Sequence, residues 1–322
     1  MFNMGVGDSH AVREALSHYT STEKLMLCSP YLGYGDPKGD RELEDRIRSM
    51  VLRSTGTEYR HVVVTSGAHM GVAAALLAME RRLRSSEVHY DRLHFFKYPQ
   101  LVRALNMIRV DADEYMQRGK NVILLTASPS NPTGLLNLQG HEGDTIWDAC
   151  YHNEIYTSPI ACEQLPRPEH LCMVGSLGKV TGINGLRVGW VATSDQSFAD
   201  DVRQSHHNLT LTTSTICAEV AKNFFRTVDT DAFFHRAWGY LCDNRYQLSK
   251  LEYLFDVPVP EYGMFWFVRA DAQARELLLR AGVTFIEGTE CGGTPDQVRL
   301  TVGQRRDVTA AMVRAVLKED GR

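Results

Sequence analysis

A short glycine-rich stretch, residues 175–190, places a lysine, a serine and an arginine around one turn. Apolar residues on both sides predict two buried strands, so Lys179 is predicted to lie on a loop between core strands. Glycines let the backbone approach a ligand closely, and Ser176 and Arg187 carry the donors that a phosphate needs. A buried amine beside an anion site indicates a Schiff base to a phosphorylated aldehyde cofactor. The alternative is a solvated lysine and an arginine in a surface ion pair.

A second anion site is indicated where the predicted strand 61–65 meets a long helix rich in alanine and leucine. The turn between them consists of Ser66, Gly67 and Ala68. Free backbone N–H groups and the positive end of the helix dipole attract anions at such a turn. Many α/β crossovers have this shape without any ligand, so the turn gains meaning only beside the serine and arginine of the lysine stretch.

Two polar residues follow other predicted strands. Asn131 belongs to an Asn-Pro-Thr-Gly turn after the strand 121–127, and Asp148 ends the strand 144–148. Ligands of α/β sheets bind at the carboxyl ends of strands, which makes Asp148 a candidate. Asn131 alone is equally well explained as a turn former.

The sequence Ser-Leu-Gly-Lys at 176–179, followed by Gly-Leu-Arg-Val-Gly-Trp at 185–190, resembles the cofactor-lysine segment of the class I/II aminotransferases. These are fold type I enzymes that use pyridoxal 5'-phosphate (PLP). The family places a serine three residues before the lysine and an arginine eight residues after it, and this chain keeps both spacings. The resemblance implies PLP held by a Schiff base to Lys179, and transfer of an amino group between an amino acid or related primary amine and a keto acid.

The resemblance also implies roles for individual residues. The catalytic residues would be Lys179, Asp148 facing the pyridine nitrogen, and Tyr151 reaching the ring oxygen O3' together with Asn131. The phosphate would be bound by Ser66, Gly67, Ala68, Ser176 and Arg187. Tyr98 would stack on the cofactor ring, with Phe96 as the alternative. On the substrate side, Arg299 would hold the α-carboxylate, Asn131 would lie beside it, and Gly7 would belong to an arm that passes over the site.

A partner subunit is implied by the segment Tyr-Leu-Gly-Tyr-Gly-Asp-Pro-Lys-Gly at 31–39. It resembles the family's Tyr-Gly-x-x-x-Gly segment, whose tyrosine reaches the cofactor phosphate of the neighbouring subunit. Tyr34 matches that tyrosine, so the resemblance implies a homodimer with shared active sites. Taken alone, the segment is a loop that leads into a helix.

Composition excludes several other classes. The chain has 322 residues, 43% of them hydrophobic, and a net charge of −4, which gives no electrostatic basis for binding nucleic acid. Its seven cysteines form no C-x-x-C pair, so neither a metal site nor a disulfide framework is indicated. Neither a leader sequence nor an apolar stretch long enough to span a membrane is evident. We therefore expect a cytoplasmic protein.

The elements predicted from periodicity alternate between strand and helix, as in an α/β fold. The strands are predicted at 61–65, 93–96, 121–127, 144–148, 171–174, 187–192, 263–268, 283–286 and 298–302, and the helices at 11–19, 42–52, 66–84, 198–205, 216–226, 231–251 and 273–280. A polar loop is expected at 209–215. By resemblance, residues 31–236 form a large PLP-binding domain with a mostly parallel sheet, and residues 1–30 and 237–322 form a smaller α+β domain.

One departure from the family is the short connection between Asn131 and Asp148. Residues 135–143 are too few and too rich in glycine for the usual crossover helix, so we expect a trimmed loop that leaves the sheet thinly covered.

Other activities remain open on the same scaffold. A PLP-dependent decarboxylase, lyase or racemase of an amino acid would use the same covalent lysine, and a non-enzymatic binding protein could retain the fold. Relatives specific for dicarboxylic substrates bring a second arginine near position 207, where this chain has His206, His207 and Asn208. This difference argues against aspartate or glutamate as the specific substrate.

Overall fold

The computed structural model describes residues 1–5, 7–26, 33–118, 121–136, 144–157 and 171–322. Within these residues, no helix is both long enough and apolar enough to cross a membrane. The strands are β1 (Phe2–Asn3), β2 (His61–Thr65), β3 (Glu87–Tyr90), β4 (Ile108–Val110), β5 (Ile123–Ala127), β6 (Thr145–Asp148), β7 (Leu171–Ser176), β8 (Gly189–Thr193), β9 (Phe265–Arg269), β10 (Val283–Thr284), β11 (Ile286–Glu287) and β12 (Gln297–Thr301).

The helices alternate with the strands through most of the chain. They are α1 (His10–Leu16), α2 (Thr22–Met26), α3 (Arg41–Thr55), α4 (Ala68–Leu83), α5 (Tyr98–Ala104), α6 (Ala112–Arg118), α7 (Leu177–Thr181), α8 (Gln196–Thr210), α9 (Thr215–Thr227), α10 (Thr230–Ser249), α11 (Ala272–Arg280) and α12 (Arg306–Glu319).

Seven strands form the sheet that carries the site, in the order β2-β8-β7-β6-β5-β3-β4. Strand β8 pairs antiparallel with both of its neighbours, and the other pairs are parallel. The carboxyl ends of β5, β6 and β7 therefore meet at one edge, where α/β sheets bind ligands. The mostly parallel sheet with covering helices is as the sequence predicted.

Helix α4 fixes the turn that precedes it. Its small side chains, among them Ala74 and Ala75, are fully buried against the sheet and against α8. Because alanine allows a helix axis to approach its neighbours closely, the first residues of α4 are held rigidly at the edge of the sheet.

A second group of elements forms from both ends of the chain. Strands β11, β12 and β9 make an antiparallel sheet, and β1 pairs with β10. Helix α1 packs against α10, which also packs against α12. The division into residues 31–236 and residues 1–30 with 237–322 remains a proposal.

Two sequence predictions about strands were wrong. Residues 93–96 form no strand; the strand is Glu87–Tyr90, whose alternation of buried and partly buried residues is a weaker signal than the apolar run after it. The run 93–96 is apolar because Phe95 and Phe96 line a cavity. The strand predicted at 283–286 divides into β10 and β11, which pair with different strands.

Two predicted loops also contain helix. Lys179 lies on the short helix α7, where glycine residues had masked the helical signal. Helix α8 continues to Thr210, so the polar loop is shorter than the predicted 209–215. Of the trimmed connection between β5 and β6, residues 131–136 contain no regular helix, and residues 137–143 lie outside the described part.

Candidate active site

A cavity of about 590 Å³ lies at the carboxyl edge of the seven-stranded sheet. Most of the predicted site residues line it: Gly7, Ala68, Tyr98, Asn131, Asp148, Tyr151, Ser176, Lys179, Arg187 and Arg299. Elements far apart in sequence thus converge, since the first residues of the chain, three central strands and β12 all contribute. Among the described residues, no group of three His, Cys, Asp or Glu side chains could hold a metal ion.

Lys179 points into this cavity and not into solvent. Strand β7 ends at Ser176, and the single turn of α7 carries the lysine to the cavity wall, where Nζ donates to the carbonyl oxygen of Gly7. Burial lowers the pKa of the Lys179 amine, an effect that the nearby Arg187 and Arg299 increase. A less basic amine is neutral in a larger fraction of molecules, and only the neutral form attacks an aldehyde.

Arg187, predicted from the sequence to bind a phosphate, also lines the cavity. Its guanidinium crosses Gly67, where a Cβ would lie 2.6 Å from Nη2, so any other residue there would displace the guanidinium. Gly67 also has a φ of 85°, a conformation that favours glycine. Within the described residues, Arg187 has no carboxylate partner, and its one hydrogen bond is a long one to the carbonyl of Asn184 (3.4 Å). The guanidinium is therefore available to a phosphate.

The turn before α4 does not offer all the donors that the sequence predicted. The backbone N–H of Ser66 donates to Nε2 of His206 (3.0 Å), and that of Gly67 donates to the carbonyl of Thr65 (2.7 Å). Neither group is left for an anion. The first N–H groups of a helix lack partners within the helix, so Ala68 and the following His69 are the donors that remain. Sequence reasoning missed His206 because it comes from α8, 140 positions away.

His206 must keep Nε2 unprotonated to accept the Ser66 N–H. Burial lowers the pKa of His206, with a further contribution from His207. Because the pKa of His206 is lower in the folded than in the unfolded protein, the neutral side chain stabilises the fold fully above the unfolded pKa of about 6.5. This stabilisation is lost as the pH falls from 6.5 through the pKa of the folded protein.

We expect the pH dependence of folding stability to reveal this contact. A glutamine at position 206 can also accept the Ser66 N–H but does not titrate. As pH falls from 7.5 to 5.0, the free energy of unfolding should therefore fall by about 0.5–1.5 kcal/mol more in wild type than in His206→Gln, the worth of one hydrogen bond. Chemical denaturation at each pH measures both proteins. A difference between them that stays constant across this range would contradict the assignment.

Asp148 is held at the end of β6 by two donors. The hydroxyl of Tyr98 donates to Oδ2 (2.7 Å), and the backbone N–H of Cys150 donates to Oδ1 (3.2 Å). Burial and the Asp148 carboxylate raise the pKa of Tyr98 well above its usual value, so the phenol keeps its proton. Tyr98 thus orients the carboxylate, a role that the sequence did not suggest. Its predicted stacking on a cofactor ring remains a prediction, and Phe95, which the sequence analysis overlooked, lines the same cavity.

Arg299 is fully buried on β12 and lines the same cavity. Nη1 donates to Oδ1 of Asn131 (2.8 Å) and Nη2 to the carbonyl of Gly5 (3.0 Å). Its Nε is buried without a hydrogen-bond partner in the described part of the chain, and no carboxylate there forms an ion pair with it. Although burial lowers its pKa, a guanidinium stays protonated. A buried charge without a counter-ion is costly, so the cavity beside Arg299 fits a ligand carboxylate.

Three predicted residues do not line this cavity. Ser66 and Gly67 lie behind Ala68 in the same turn, whereas Tyr34 is 81% exposed and lines a separate pocket with Thr212 and Thr213. The side chains that sequence reasoning missed are His69, Val72, Phe95, Lys97, Ala127, Cys150, Phe265 and Ile286. None of them belongs to a recognisable motif, and Phe265 and Ile286 are not even neighbours of predicted site residues in the sequence.

A lysine after one central strand, an aspartate at the end of the next strand and a glycine–arginine anion site together define the class of fold type I PLP-binding proteins. The chain belongs to the aminotransferase class I and II family, whose profile matches residues 2–315. In this family the cofactor is PLP.

Individual relatives agree with this placement. Over 158 residues the chain is 30% identical to tryptophan aminotransferase-related protein 2 of Arabidopsis thaliana, which covers 46% of this chain and 34% of that protein. It is 23% identical over 288 residues to histidinol-phosphate aminotransferase 2 of Haemophilus influenzae, covering 80% and 75%. A tetra mutant of Thermus thermophilus aspartate aminotransferase in complex with tryptophan has the same fold, with a TM-score of 0.77 at 20% identity over 99% of this chain and 91% of that one. The matched stretch spans about a third of the length of the plant relatives.

Proposed function

We propose that this protein is a PLP-dependent aminotransferase that uses an amino acid or related primary amine as donor and a keto acid as acceptor. The observation that carries the proposal is that Lys179 shares one cavity with two arginines, neither of which forms an ion pair with a described residue. Arg187 offers one anion site in this cavity and Arg299 offers another. A cofactor phosphate and a substrate carboxylate are the two anions that this chemistry requires.

The residues present fit PLP. Arg187, Ser176 and the N-terminal N–H groups of α4 would bind its phosphate, Asp148 would hold a proton at the pyridine nitrogen, and Asn131 and Tyr151 would reach its ring oxygen. Lys179 would hold it covalently. When bound, PLP supplies an electron sink for the negative charge left at the substrate Cα.

The protein's own groups account for the remaining steps. Arg299 binds the α-carboxylate of the amino acid through its planar pair of donors. This contact orients the substrate so that its Cα lies near the cavity wall that carries Lys179. Nζ of Lys179, made less basic by burial, accepts the proton from Cα and later returns one. Tyr98 keeps the Asp148 carboxylate fixed throughout.

A homodimer with shared active sites is part of the proposal. Tyr34 is exposed on a loop beside Thr212 and lines no part of the cavity that holds Lys179, as suits a residue that reaches a neighbouring subunit. The cytoplasmic location expected from the sequence stays a prediction.

A single-turnover experiment tests the activity. Protein saturated with PLP is mixed with one amino acid at a time, without an acceptor, and the products are separated by chromatography. We expect stoichiometric pyridoxamine 5'-phosphate and the keto acid of the donor. Release of carbon dioxide, elimination of a side-chain group or racemisation, with PLP recovered unchanged, would instead establish one of the alternative activities.

A further inference from the structure

We propose that the amino donor carries a large aromatic side chain, received by an apolar wall formed by Phe96, Phe265 and Ile286. This inference rests on the proposed function and adds the substrate class. In the reaction the donor's amino group replaces the keto oxygen of the acceptor, and the donor leaves as its own keto acid, so no external oxidant is needed.

The apolar wall surrounds the carboxylate anchor. The guanidinium of Arg299 lies 4.1 Å from the centre of the Phe265 ring and 5.6 Å from that of Phe96. Ile286 is the partner of Arg299 in the register between β11 and β12. All three apolar side chains line the cavity. A substrate that binds Arg299 through its α-carboxylate therefore has apolar surface within reach of its side chain.

The wall is aromatic as well as apolar. Phe96 meets Phe95 edge-to-face with ring centres 4.9 Å apart, and Phe265 meets Tyr151 in the same manner at 5.4 Å. Edge-to-face contacts between aromatic rings are more favourable than the apolar area that they bury would account for. An aromatic ring entering this cavity gains such contacts, whereas a methyl side chain leaves the wall exposed to water.

The described cavity lining has few cations that could bind the second carboxylate of a dicarboxylic donor. Of the cations that line it, Lys179, Arg187 and Arg299 have the roles given above, which leaves Lys97 and His69. Burial lowers the pKa of His69, and Arg187 lowers it further, so this side chain favours its neutral form. The Lys97 amine donates to Gln100 (2.9 Å) and lies 5.1 Å from the Phe96 ring centre. Lys97 is thus the one cation in the described lining that could compete for a second carboxylate.

Single-turnover rates test the proposal directly. L-phenylalanine, L-alanine and L-glutamate are each mixed with the PLP-loaded protein. We expect phenylalanine to react at least about 100-fold faster than either of the others, since even one methylene group in an apolar pocket changes rates by roughly 10- to 200-fold. The variant Phe96→Leu keeps an apolar side chain without the ring and is expected to fold. In this variant the ratio of the phenylalanine rate to the alanine rate should be smaller than in wild type. Lys97→Met is the matched control and should change the phenylalanine rate less than about 3-fold.

Binding without turnover separates this inference from the proposed function. 3-Phenylpropionate and glutarate lack the amino group and cannot react, so their affinities are measured by competition with fluorescence detection. We expect 3-phenylpropionate to bind at least about ten-fold more tightly. Tighter binding of glutarate, or a faster reaction with glutamate that is lost in Lys97→Met, would overturn the aromatic donor and leave aminotransfer intact. Failure of every amino acid to form pyridoxamine 5'-phosphate would overturn the proposed function itself.

Discussion

Replacement of Lys179 by alanine is expected to reduce the rate of pyridoxamine 5'-phosphate formation by at least about ten-thousand-fold. This factor is the upper range for loss of a positioned general base, and the variant also loses the amine that would hold PLP. The predicted phosphate site should keep its structure, because within the described residues neither Arg187 nor the start of α4 forms a hydrogen bond with the Lys179 side chain. PLP should still bind, though without the visible absorbance band of the lysine-linked form.

Lys97→Ala is the matched control for that variant. Both lysines line the same cavity, and Lys97 directly follows Phe96 in the sequence. We expect the control to keep the visible band and the half-reaction rate within a few-fold of wild type. Persistence of the band in Lys179→Ala, or its loss in Lys97→Ala, would show that Lys179 is not the lysine that holds the cofactor.

Replacement of Arg299 by leucine should lower kcat/KM strongly and change the unfolding temperature little. Removing one member of a buried, hydrogen-bonded charge pair typically costs about 2–5 kcal/mol, which corresponds to roughly 30- to 4,000-fold in kcat/KM. The unfolding temperature should change little, because removal of a buried charge without a carboxylate partner in the described chain offsets the loss of the hydrogen bonds to Asn131 and Gly5. Thermal unfolding without amino acid and steady-state kinetics measure the two effects separately.

The conservative variant Arg299→Lys refines this test. Lysine keeps the charge but loses the planar pair of donors, so kcat/KM should fall between those of wild type and Arg299→Leu. If Arg299→Leu unfolds at a much lower temperature while kcat/KM per folded molecule stays within about three-fold of wild type, Arg299 is a structural residue and the carboxylate assignment is wrong.

Three residues of the cavity were predicted together because their spacing is local. Ser176 ends strand β7, Lys179 and Arg187 lie between it and strand β8, and the structure brings all three to one cavity. The contacts between distant elements were not predictable. The hydrogen bond of Tyr98 to Asp148 spans 50 positions and depends on the order of strands in the sheet, which no local pattern encodes.

Apolar runs were ambiguous in the same way. The segment 93–96 has the composition of a strand, but its phenylalanines face a cavity, while the true strand Glu87–Tyr90 alternates polar and apolar residues. Apolar residues occur both where a side chain lines a ligand cavity and where it packs against a sheet, so composition does not distinguish the two. The donors of the turn at Ser66 were predicted as free for a similar reason, since their engagement by His206 is a tertiary contact.

Reduction of the PLP-loaded protein with borohydride, followed by peptide mass mapping, tests the central claim most directly. Reduction converts a lysine-linked cofactor into a stable adduct, so the modified residue can be located without any assumption about substrate. We expect a single phosphopyridoxyl group on the peptide that contains Lys179. An adduct on Lys97 or on any other lysine, or no adduct in protein saturated with PLP, would contradict the account.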